Sequence, residues 1–273
     1  MSDSSIPNPV TAIAEADATG ETAKIFADIR QTMEIPLITS VWRILVDVDE
    51  GLRPAWEVTK PLYQSGQPQA ALLKLRRQAT FPKPEPLTPS QLACVGVSQT
   101  DLPTIRAIVD AYNRSNGLNL IALTALTVDP SGTSANALVP PSPPPWPTLP
   151  SLLAQDEITP DTWTVLRDIY HLGLLEKKPG VATIWRHLAH WPGLMALAQA
   201  SLSPLAQNGS LQRTMVTVRK FAQSEAGRIA HLRPDTDQIP LPAYNYVAQY
   251  AVGVHRIVAI GHIFAEWLRT LDD

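Results

Sequence analysis

The chain has 273 residues, 45% hydrophobic and 17% charged, which suits one large folded domain or two small ones and excludes a disordered chain. A formal net charge of −3 supplies no general attraction to nucleic acid or to an anionic membrane. Cys94 is the only cysteine, so a disulfide framework and a CxxC zinc or redox pair are both excluded.

In chain order, the opening MSDSSIPNPV is polar and lacks the basic-then-apolar layout of a signal peptide. The run from Leu118 to Val128 is about half of what a membrane span needs. A cytoplasmic protein with no membrane partner is expected. Apolar residues at helical spacing lead up to Gly66, which suits a helix C-terminal cap, and Gly209 stands likewise in the second half. Asn116, in YNRSNGLNLIALTAL, falls where one helix is expected to give way to the next, and there asparagine commonly serves as an N-cap. Residues 129–150 gather prolines into a semi-rigid linker or strap. Thr159-Pro160 then reads as a cap followed by proline at the first helical position. Helical spacing returns from Leu241 to Leu271, and no sustained period-two alternation suggests a sheet.

The halves flanking the strap resemble each other. Shifting residues 36–79 by 143 onto residues 179–222 gives twelve identities in 44 positions, against about three by chance. Pro36/Pro179, Trp42/Trp185, Arg43/Arg186, Pro61/Pro204, Gly66/Gly209 and Arg76/Arg219 are among them. That period is too long for a solenoid unit. The expected fold is all-α: two homologous helical repeats, residues 1–128 and 151–273, forming an intramolecular pseudo-dimer across a Pro-rich linker at 129–150.

Nucleotide-binding glycine loops, HExxH and GxSxG are all missing. His187 and His190, or His255 and His262, share helix faces that a metal could use, yet no carboxylate is patterned with them, so neither metal nor cofactor is expected. Lys74, Arg76 and Arg77, with Arg219 and Lys220, form either an anion patch or simply two solvated faces. Arg43 and Arg186 are expected to bury their stems and pair with helix carboxylates. Trp42, Trp56, Trp185 and Trp191 suit a pocket lining or, more commonly, a core.

Three segments taken together, IRQTMEIPLITSVWRIL with PAW, YNRSNGLNLIALTAL and LAHWP, resemble the group I 2-haloacid dehalogenases. The resemblance implies a duplicated helical pseudo-dimer with its active site between the repeats. It also implies hydrolytic displacement of halide from a 2-halocarboxylic acid by an activated water, with no ester intermediate. The family's water-positioning asparagine falls on Asn116, and its catalytic aspartate falls on Ile184, seven residues before Trp191. An aromatic position of the family is Leu37 here.

Isoleucine cannot accept a proton, so the base is open: Glu176, Asp47 and Asp168 are the candidates, with Thr183 beside the expected position but a poor base. Leu37, Thr183 and Ile184 are the expected pocket residues. A dehalogenase with a relocated base, a non-catalytic binder of a small hydrophobic or carboxylate ligand, and an interaction protein with a filled cleft remain open. The expected partner is a small molecule, and a homodimer is compatible with the sequence.

Overall fold

The computed structural model describes residues 12–174 and 180–272, and among these there are eleven α-helices and no strand. In the first half these are α1 (Gly20–Met33), α2 (Ser40–Ile44), α3 (Leu52–Gln64), α4 (Gln67–Gln78), α5 (Pro89–Cys94) and α6 (Leu102–Thr124). The second half holds α7 (Pro160–His171), α8 (Thr183–His187), α9 (Pro192–Gln207), α10 (Ser210–Ile229) and α11 (Leu241–Arg269).

Local signals account for several boundaries. Thr159 accepts a hydrogen bond from the Thr162 N–H, and Pro160 opens α7. Thr88 and Gln91 exchange side-chain and backbone bonds in a capping box that starts α5. Gly66 (φ +71°) and Gly209 (φ +75°) make the left-handed turns from α3 to α4 and from α9 to α10. The half-to-half correspondence extends to these boundaries. α8 begins and ends 143 residues after α2, α9 ends 143 after α3, and α10 starts 143 after α4.

One contiguous apolar core runs through both halves, with Trp42 and Trp185 fully buried in it. α6 and α11 form its axis and make the most extensive helix pair, flanked by α4 and α10. By length and composition α11 could cross a membrane, but 61% of its most apolar window is buried inside the fold, as expected of a core helix.

The strap is fastened at several points. Its Ser131 and Leu138 N–H groups donate to the Gly227 and Ser65 carbonyls at 3.0 and 2.7 Å. The Trp146 indole donates to the Glu34 carbonyl at 3.1 Å. It therefore ties α10, the α3–α4 turn and the end of α1 together.

Two glycines respond oppositely to a methyl group. At Gly66 a Cβ would stand 2.2 Å from the Leu138 carbonyl oxygen, on top of its positive φ, whereas Gly253 has open space around it inside α11. Gly66→Ala is expected to lose about 2 kcal/mol or more in urea denaturation. Gly253→Ala is expected to gain up to about 1 kcal/mol.

Candidate functional site

α6 is buried along most of its length, yet it carries Asn113, Ser115, Asn116 and Asn119 into the interior. Buried amides need partners, and other elements supply them. The Asn113 Nδ2 donates to the Gly261 carbonyl at 2.9 Å, and a Cβ on Gly261 would meet the Asn113 Oδ1 at 2.2 Å. Asn119 donates to the Thr39 Oγ1 at 3.0 Å and accepts from the Tyr63 hydroxyl at 2.8 Å. Ser115 adds a 3.3 Å bond to the same Thr39 oxygen. The Asn116 Oδ1 accepts from the Tyr250 hydroxyl at 3.0 Å.

Asn116 thus sits in mid-helix, not at a helix start, which corrects the cap expected from sequence. The following Gly117 is part of the same packed helix, where it lets the Leu72 side chain approach closely.

α8 meets the same helix. The His187 ring stands edge-on to Tyr112, with Nδ1 3.3 Å from the Tyr112 hydroxyl and Nε2 2.8 Å from the Pro150 carbonyl. A carbonyl can only accept, so Nε2 carries the proton and Nδ1 accepts from the phenol. Thr183 and Ile184 lie about one turn earlier on α8, as Asn116 lies one turn beyond Tyr112 on α6. Leu37, Asn116, Thr183 and Ile184 are all buried, Ile184 at 1% exposure, and the Thr183 hydroxyl has no partner among the described residues.

The candidate bases fare differently. Asp47 and Asp168 are exposed, and neither is hydrogen-bonded to the cluster. Glu176 lies outside the described residues. Glu15 approaches, but its carboxylate already accepts from the Ile38 N–H at 2.5 Å and pairs with Arg30 at 2.6 Å. Among the described residues no carboxylate joins the hydrogen-bonded cluster around Asn116.

Phenols dominate the site instead. Burial raises the pKa of Tyr63, Tyr112, Tyr246 and Tyr250, so all four stay protonated donors at neutral pH. The same cause lowers His187 to about 4 and leaves it neutral. The tyrosines were not singled out from the sequence, although Tyr246 and Tyr250 lie one turn apart on α11.

Arg43 departs from expectation too. It is 2% exposed, and among the described residues its one hydrogen bond is from Nη1 to the Ile13 carbonyl at 3.2 Å, with no helix carboxylate as partner. Arg186 donates to the Leu153 carbonyl at 2.7 Å.

Two open clefts lie elsewhere. One, of about 380 Å³, is bounded by Arg30, Glu34 and Pro143 to Trp146. The other, of about 230 Å³, lies among Arg76, Phe81, Asp110, Asn113, His262 and Glu266. Neither is lined by Asn116.

No protein-family model matches the chain. A 2-haloacid dehalogenase, configuration-inverting, from Pseudomonas sp. (strain 113) is 24% identical over 220 residues, covering 76% of this chain and 71% of that protein. A D-2-haloacid dehalogenase mutant solved with D-2-CPA superposes with a TM-score of 0.70 at 16% identity, over 95% of this chain and 96% of that one. A D-2-haloacid dehalogenase in complex with L-LA gives 0.70 at 15% identity, with the same coverage. The fold is shared with 2-haloacid dehalogenases.

Because burial holds the folded-state pKa of His187 and His262 near 4, below the ordinary histidine value of about 6.5, the unfolded chain takes up the proton first as pH falls. Stability is therefore full above about pH 6.5 and is lost as pH falls toward 4, by at most about 1.4 kcal/mol per pH unit per histidine. Urea midpoints measured across this window should fall, and His262→Gln should flatten the slope.

Proposed function

We propose that this chain is a 2-haloacid dehalogenase-like protein of the group I kind, whose site between the halves binds a small 2-substituted carboxylic acid and leaves its carbon–halogen bond intact. The observation that carries this is Ile184. It occupies the position where the resemblance puts the water-activating aspartate, it is buried, and among the described residues no carboxylate enters the cluster around Asn116.

Displacement of halide by water requires a group that takes the proton as the oxygen attacks C2. The four buried phenols are held protonated, and His187, with its pKa near 4, already uses its lone pair on Tyr112. Loss of such a base removes about 10²–10⁴-fold of rate. The parts of the site suited to holding a ligand remain, namely Asn116, Arg43, the Thr183 hydroxyl and the apolar Leu37 and Ile184.

The fold proposed with this function is a duplicated pseudo-dimer, with repeats at 1–128 and 151–273 and the strap at 129–150. The common offset of 143 in both residues and helix boundaries supports it. So does the matched state of Trp42 and Trp185, whose indole N–H groups are both buried without a partner.

Halide release from both enantiomers of 2-chloropropionate tests the function. The wild type should stay at the buffer blank. Ile184→Asp, assayed at alkaline pH because burial raises its carboxyl pKa, should release halide, and adding Asn116→Ala should abolish that gain. Turnover by the wild type would overturn the proposal and turn attention to Glu176.

A further inference from the structure

We propose that Arg43 is the anion receptor of this site, gripping the ligand's carboxylate through the Nε–Nη2 edge of its guanidinium. This rests on the small-acid reading of the pocket given above. Arg43 is 2% exposed, and its Nε and Nη2 are sealed from solvent without a hydrogen-bond partner. A buried cation with unanswered donors is among the costliest arrangements in a protein interior. The two free groups lie side by side on one edge, the fork that matches a carboxylate in two parallel bonds. The remaining donor group, Nη1, is committed to the Ile13 carbonyl.

The surroundings favour a negative charge. Arg186, the counterpart of Arg43 at the offset of 143, lies close enough that Arg43 helps to lower its pKa, after burial itself. Tyr112 and Tyr246 lie within electrostatic range of Arg43, and both are protonated phenols. Glu15, the acid nearest on the covering segment, is committed to Arg30 and the Ile38 N–H. An anion on Arg43 would be attracted by both guanidinium groups. The segment that covers Arg43 runs through Ile13 and is fastened by Glu15. Loosening it gives a ligand a path to the free edge.

Isothermal titration of the wild type, Arg43→Gln and Arg43→Lys with 2-chloropropionate, its neutral amide, formate and nitrate tests the assignment. The wild type should bind the acid about tenfold or more tighter than the amide. Arg43→Gln should erase that preference. Should Arg43→Gln fail to fold, Arg43→Lys carries the comparison, since it keeps the charge but loses the two-pronged edge, and its preference should shrink. A preference undiminished in the folded variants overturns the role of Arg43 and leaves the pocket reading intact. Formate or nitrate binding that depends on Arg43, without any binding of 2-chloropropionate, keeps the receptor and overturns the pocket reading. A wild type that binds none of the anions overturns the receptor.

Discussion

The interior is organised by one constraint: α6 is buried along most of its length and still carries three asparagine amides and a serine hydroxyl, each of which must be answered by another element. Low local dielectric makes those hydrogen bonds strong and makes an unanswered amide expensive. Thr39, just before α2, meets Ser115 and Asn119; Tyr63 on α3 meets Asn119; Tyr250 and the Gly261 carbonyl on α11 meet Asn116 and Asn113. Together these bonds set the rotation of α6 and its spacing from α11. Gly261 has no side chain because the Asn113 amide occupies that space.

The chemistry of the site follows from what this network accommodates. Hydroxyls and amides can close on each other without a net charge, so phenols and asparagines persist deep in the core. A carboxylate there would need its own donors, and at Ile184 the chain has hydrocarbon. The guanidinium of Arg43 keeps a charge in this interior with no answering acid among the described residues. On the function proposed above, a site with an unanswered guanidinium, an asparagine and, among the described residues, no carboxylate base holds a small acid rather than hydrolysing it.

Much of the architecture was legible because it rests on local signals. The Thr159-Pro160 start, the left-handed turns at Gly66 and Gly209, and the long apolar period of α11 each act within a few residues. Asn116 was expected at a helix start because asparagine favours N-caps, whereas here the packing of Gly117 against Leu72 and the Tyr250 bond hold it in mid-helix. Arg43 was expected to find a carboxylate. Instead it lies within electrostatic range of Tyr112, Tyr246 and Arg186, which no spacing in the sequence predicts. The same holds for Asp47 and Asp168, whose acidity was visible but whose exposure depends on the tertiary fold.

A crystal structure of the wild type soaked with racemic 2-chloropropionate tests the central claim most directly. The account predicts an intact chloro acid, its chlorine still bonded to C2, lying between Asn116 and Ile184 with its carboxylate on the Arg43 edge. Lactate in that position, or a chloro acid bound with its carboxylate turned away from Arg43, would contradict it.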